Sequence, residues 1–254
     1  MPTRSAIAGF RGQKPSIREL EKETQVWSVL LDAGPEGMQG ALSLLSPEEQ
    51  ARCSEFRLGS LQQRYTLARA ALRTLLAAYL DVPAGSIPLR YGARGKPFLQ
   101  DPSSRLQFNL AHSGDLCVLA FTLDSDVGVD LERIRSLRDA AAVAERFFSK
   151  EECEDLLQAP AAQREQAFFR CWTRKEAFVK AVGAGLYFPL NRFRVSLQER
   201  AALLEINGST TEAESWSLHD LPTQPGYAAA LAVRNRKRGV RVYPMLTAGK
   251  LLEG

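Results

Sequence analysis

The strongest constraint in this sequence is that one pattern occurs twice, 103 residues apart. A strand-like run over 26–31 leads to Leu45-Ser46-Pro47-Glu48-Glu49, and a second over 127–132 leads to Phe148-Ser149-Lys150-Glu151-Glu152. Ser46 and Ser149 differ by 103 positions, and so do Trp27 and Asp130. Each Ser-x-x-Glu is a capping box: the serine oxygen accepts an orphan N–H of a new helix, and the glutamate reaches back to the serine N–H. A longer helical pattern follows each box. Leu67, Ala70, Ala71, Leu75 and Ala78 mark a helix over 61–80, and Phe168, Trp172, Phe178 and Val182 mark one over 163–182. Short alternating runs come next, over 86–99 and 116–123 in the first half and over 190–197 and 227–233 in the second. The spacing predicts an α+β chain of two similar lobes, each a small antiparallel-rich sheet packed on a long helix. The polar stretch Asp124-Ser125-Asp126 divides an N-terminal lobe, 1–124, from a C-terminal lobe, 125–254.

At that fixed offset Trp27 corresponds to Asp130, and Arg73 to Glu176. The second lobe carries acids where the first carries an aromatic and a cation, which predicts a cleft with carboxylates on one wall and cations on the other. In Gly128-Val129-Asp130-Leu131-Glu132, alternation places Asp130 and Glu132 on one face and Val129 and Leu131 on the other. Adjacent carboxylates repel and need solvent, Arg133 or Arg135, or a hard cation such as magnesium. Trp172, Glu176 and Lys180 recur at helical spacing and form one stripe. Either Glu176 and Lys180 are a routine ion pair, or they add a third carboxylate and a phosphate-binding cation. Arg174 and Lys175 lie off that stripe, as surface residues or substrate contacts.

His112 ends a strand-like run just before the turn Ser113-Gly114, at a rim where an imidazole can donate to a phosphate. The loop over 90–97 is basic and glycine-interrupted, with Lys96 in it, but lacks the P-loop spacing. Arg64 and Arg69 on the preceding helix are further candidates; a solvated side chain is the default for Arg64.

Other classes find less support. The four cysteines form no CxxC pair and there are two histidines, so the usual zinc ligand sets are not met. GxSxG is absent. The net charge of +4 is mild, and the basic run over 234–238 reads as a turn between two strands rather than a nucleic-acid surface. No apolar run reaches the ~18 residues of a membrane span, and the N-terminus lacks a signal-type apolar region. A cytoplasmic protein is expected, with neither nucleic acid nor membrane as a partner.

Taken together these residues resemble the Sfp-type 4'-phosphopantetheinyl transferase family. The resemblance covers nearly the whole chain: Leu45-Ser46-Pro47-Glu48-Glu49, the helix bearing Arg64, Gly95-Lys96-Pro97, the FNLAHSG run over 108–114, GVDLE over 128–132 and WTRKEAFVKAVGAGL over 172–186. It implies a pseudo-twofold pair of α/β lobes with coenzyme A in the cleft. It also implies magnesium on Asp130, Glu132 and Glu176, and Lys180 at the coenzyme phosphates. His112 and Lys96 match residues at the phosphorylated adenosine end, and Arg64 matches another coenzyme contact. One position departs: Ala111 stands where the family commonly has serine. The implied reaction moves phosphopantetheine from coenzyme A to a serine of an apo acyl or peptidyl carrier protein, releasing 3',5'-ADP. Glu176 or a metal-held water takes the serine proton, and Lys180 stabilises the phosphoryl oxygens. A monomer suffices, since both walls belong to one chain. The competing class is a non-catalytic coenzyme-binding module, which would not need three carboxylates aimed at a phosphate.

Overall fold

The doubled signal becomes a doubled structure. The computed structural model describes residues 15–92, 95–137, 139–183, 188–234 and 238–252. The first copy comprises β1 (Glu23–Leu30), α1 (Pro35–Leu44), α2 (Pro47–Ser54), α3 (Gly59–Leu80), β2 (Leu89–Tyr91), β3 (Pro97–Leu99), β4 (Leu106–Ser113) and β5 (Leu116–Leu123). The second comprises β6 (Val127–Arg133), α4 (Ala140–Phe147), α5 (Lys150–Gln158), α6 (Arg164–Val182), β7 (Phe193–Val195), β8 (Leu203–Ile206), α7 (Thr210–Ala213), β9 (Ser217–Asp220) and β10 (Tyr227–Val233). The chain closes with β11 (Gly239–Val242), β12 (Leu246–Thr247) and α8 (Ala248–Leu252).

Both capping boxes form, starting α2 and α5. Their glutamates then do a second job. Glu49 is buried and accepts from Arg73 Nε of α3 at 2.7 Å and from the Tyr91 hydroxyl. Glu152 is buried and accepts from Lys175 Nζ of α6 at 2.6 Å and from Val195 N at 2.7 Å. Each box thus ties its short helix to the long one through a buried ion pair, whose charges are tolerated because both partners are hydrogen-bonded. The fixed offset fails here: Arg73 is matched by Lys175, not by Glu176, and it sits in the core rather than on a cleft wall. Arg174 and Lys175 are likewise fully buried, not surface residues. Arg174 holds Asp220 at 2.6 and 2.8 Å together with backbone carbonyls of the 196–199 loop.

The two main sheets run β11-β1-β5-β4, with β12 also on β1, and β6-β10-β9. The expected boundary therefore needs correction at its far end. Residues 239–252 leave the second lobe: β11 and β12 pair parallel with β1, supplying partners to its otherwise open edge. Tyr243 stacks on Trp27 with centroids 3.8 Å apart, and the Trp27 indole N–H donates to Tyr79 at 3.0 Å. The basic run lies between two strands, as expected, and these two, β10 and β11, belong to different sheets; its residues 235–237 lie outside the described ones.

An apolar layer joins the lobes, with Val26, Ala111, Val118 and Ala120 on one side and Val127, Val129, Leu131 and Leu231 on the other. Two side chains of β4 reach across it to the backbone of β6. Asn109 Oδ1 accepts Val129 N–H at 2.8 Å, and Ser113 Oγ accepts Arg133 N–H at 3.0 Å. Ala111, midway between them, is buried and brings no acceptor. No helix among the described residues is long and apolar enough to cross a membrane.

Candidate active site

On β6 the residues Val127, Val129 and Leu131 enter the apolar layer, so Gly128, Asp130 and Glu132 face α6, as alternation predicts. Gly128 sets how close the helix comes. A Cβ there would lie 2.2 Å from Ala177 O and 2.3 Å from Ala181 N, so only glycine fits. That approach brings the next turn of α6 onto Asp130. Lys180 Nζ donates to Asp130 Oδ1 at 2.5 Å, rather than pairing with Glu176 along its own helix. Asp130 Oδ2 and Glu176 Oε1 are buried and accept no hydrogen bond. Glu132 Oε2 accepts from Ser113 Oγ at 3.3 Å.

Burial, then the Asp130 charge, raises the carboxyls of both Glu176 and Glu132, while Lys180 pulls each back. The three acids share one electrostatic neighbourhood, but they do not form a closed cluster. Among the described residues no three His, Cys, Asp or Glu side chains are arranged to hold a metal ion as they stand. The Lys180 ammonium already supplies a countercharge to Asp130, and Glu132 leans toward Ser113. What stays open is two buried carboxylate oxygens without protein hydrogen-bond donors, on facing elements. Such a donor set suits magnesium, which binds through one or two carboxylates and fills other positions with water and substrate phosphates.

The cationic side is more dispersed. His112 ends β4 with part of its surface open to solvent; desolvation, then the charges of Arg69, Lys180 and Arg64, hold its imidazole below the usual value. Arg64 Nε pairs with Asp115 Oδ1 at 2.8 Å near the surface. Lys96 is placed differently from expectation. Its Nζ donates to Lys180 O at 2.7 Å and Val127 O at 3.4 Å, so the first lobe caps the carbonyl end of α6. Burial lowers the Lys96 ammonium. Ala93, Arg94 and the Ala184-Gly185-Leu186 end of the helix motif lie outside the described residues. Asn109 and Ser113 belong to no motif that marks them as lobe-joining residues; their one sequence signal is that they are polar and share a strand face with Ala111.

A model of the 4'-phosphopantetheinyl transferase superfamily matches residues 126–232, and one of the 4'-phosphopantetheinyl transferase N-terminal region matches 32–123. Over 227 residues the chain is 36% identical to the 4'-phosphopantetheinyl transferase HetI of Nostoc sp., covering 86% of this chain and 91% of that one. The chain belongs to the 4'-phosphopantetheinyl transferase superfamily. This transferase is also 34% identical over 184 residues to the putative 4'-phosphopantetheinyl transferase slr0495 of Synechocystis sp., covering 72% and 74% of the two chains. It is 29% identical over 192 residues to the 4'-phosphopantetheinyl transferase Sfp of Bacillus subtilis, covering 75% and 82%. The two family matches divide at residues 123 and 126, where Asp124, with φ +50, turns the chain from β5 into β6.

Proposed function

We propose that this transferase moves the 4'-phosphopantetheine arm of coenzyme A onto a serine hydroxyl of an apo acyl or peptidyl carrier protein, with 3',5'-ADP as the leaving group, as a magnesium-dependent cytoplasmic monomer. The transferase class follows from the family. The carrying observation is the pair of buried, unpartnered oxygens, Asp130 Oδ2 and Glu176 Oε1, beside the Lys180 ammonium. Buried carboxylate oxygens without donors are costly, and a site that keeps them is built for a cation.

Asp130, Glu132 and Glu176 are the residues that would hold magnesium. When bound, the ion neutralises pyrophosphate charge and the charge that develops on the departing 3',5'-ADP. Lys180 spends one donor on Asp130 and has two more N–H groups for a phosphate oxygen. Glu176 also takes the proton of the attacking serine, through its second carboxylate oxygen, which leaves Oε1 for the cation. His112 and Arg64 bind the coenzyme at the first-lobe side. Lys96 acts at one remove, by fixing the end of α6 that carries Lys180.

The test is intact-mass measurement of several purified apo-carriers after incubation with coenzyme A and magnesium. A gain of one phosphopantetheine, mapped to a serine and lost when magnesium is chelated, is expected. Unmodified carriers throughout, with the transferase folded, would sink the reading.

A further inference from the structure

β6 is an edge strand: among the described residues its sheet partner is β10, and no strand pairs along its other side. The first lobe closes that side with side chains instead. Lys96 Nζ donates to Val127 O at 3.4 Å, Asn109 Oδ1 accepts from Val129 N at 2.8 Å, and Ser113 Oγ accepts from Arg133 N at 3.0 Å. These three β6 residues are separated by even steps, so their free backbone groups all point away from β10. Asp130 and Glu132 lie within the stretch gripped in this way. Of the three side chains, Ser113 alone also reaches an acid: its Oγ donates to Glu132 Oε2 at 3.3 Å.

The sense of that bond follows from the first one. A hydroxyl has one hydrogen and two lone pairs, and a lone pair of Ser113 is committed to the Arg133 N–H, so the hydrogen goes to Glu132. The hydroxyl is itself held in place. Gly114, at φ +56, turns the chain directly against Tyr227: a Cβ there would lie 2.6 Å from the Tyr227 hydroxyl. Asp115 O accepts from Leu31 N at 2.7 Å, and the Asp115 carboxylate pairs with Arg64. Glu132 has no such fixing of its own. Among the described residues it forms no ion pair, although Arg133 and Arg135 are close in the chain, and Ser113 is its one hydrogen-bond donor. Carboxylates that serve a metal are themselves oriented by hydrogen bonds from a surrounding layer of residues. Ser113 is so placed, and it comes from the opposite lobe.

We propose that Ser113 is a positioning residue: from the first lobe it holds Glu132 by Oε2, so that Oε1 is presented to the divalent ion of the second lobe. The proposal rests on the magnesium reading above, and its test separates the two. Manganese, which takes the same octahedral oxygen ligands as magnesium, is titrated into the full chain and the free ion is counted by its paramagnetic resonance signal. Ser113→Ala weakens manganese binding about 10- to 100-fold, the scale of a lost outer partner of a ligand, and raises the magnesium concentration for half-maximal transfer by a similar factor. The variant stays folded because Arg133 is exposed, so water replaces the acceptor lost to its N–H. Ser113→Thr, which keeps the hydroxyl, binds manganese as the wild type does. In a Glu132→Ala background, Ser113→Ala has no additional effect on manganese, because the carboxylate it orients is gone. Unchanged manganese affinity in Ser113→Ala, or an equal loss with and without the Glu132 carboxylate, overturns the positioning role and leaves Ser113 a link between lobes. A wild-type chain that binds no divalent ion overturns the magnesium reading, and the proposal with it.

Discussion

Lys180 Nζ lies 2.5 Å from Asp130 Oδ1 and so joins the last turn of α6 to β6 inside the site. The partnership is unequal: the lysine side chain is 31% exposed and the aspartate only 6%. Removing the lysine strands a buried charge, whereas removing both charges does not. Lys180→Met should destabilise the fold by about 1–3 kcal/mol. Adding Asp130→Asn should recover most of that loss in a double-mutant cycle read by urea melts. Transfer should fall at least about 100-fold in either single variant.

Burial and then the Asp130 charge raise the Glu176 carboxyl, so the fold disfavours its ionised form. A raised carboxyl contributes stability only at low pH and loses it as pH rises through the folded value, so near neutrality the ionised group is a liability. Glu176→Gln should melt higher than the wild type at neutral pH in chelator while transferring at least about 100-fold more slowly. Magnesium should raise the wild-type Tm more than that of the variant. A variant that melts lower than wild type under chelator would contradict the electrostatic account.

The histidines give the opposite pH limb. His112 and His219 are both held below the usual value, chiefly by burial. Both bind protons more readily unfolded, so their contribution is present above roughly pH 6.5 and is lost as pH falls through the lowered folded values. Replacing His112 by Gln should flatten the fall of Tm between about pH 6.5 and 5; an unchanged slope would assign the limb to other groups.

Gly128 is the closest approach of β6 to α6. An alanine Cβ would collide with Ala177 O and Ala181 N, both backbone atoms that cannot turn away. Gly128→Ala should cost about 1–3 kcal/mol or more by overpacking and should separate Asp130 from Lys180. The check is a thermal melt alongside transfer rate, with activity expected to fall further than stability alone explains at a temperature where the variant is folded.

Glu152 accepts from Lys175 at two distances, 2.7 and 2.6 Å, and from two backbone amides, with both side chains fully buried. Glu152→Gln should destabilise by about 3–5 kcal/mol because it leaves the Lys175 ammonium uncompensated in the core. A cost under about 1 kcal/mol by chemical denaturation would mean that Lys175 finds another partner.

Much of this molecule was legible along the chain because the relevant signals are local. A capping box, a helical stripe and an alternating strand are set by backbone hydrogen bonding within a few residues, and they revealed both lobes, α3 and α6, and the shared face of Asp130 and Glu132. The motifs of 128–132 and 172–186 together were specific enough to indicate the family. Partner choice was not local. A fixed offset matched Arg73 with Glu176, but a buried cation follows the carboxylate it neutralises, and that carboxylate is Glu152 for Lys175. Lys180 beside Glu176 reads as a helix-surface pair until the missing side chain of Gly128 lets Asp130 come within reach of it. Lys96 and the segment over 239–252 were decided the same way, by an exposed helix end and an open strand edge that needed partners. The sequence by itself determined which elements form and which faces carry charge; the tertiary structure alone decided which charges meet, because that depends on how closely distant backbones can pack.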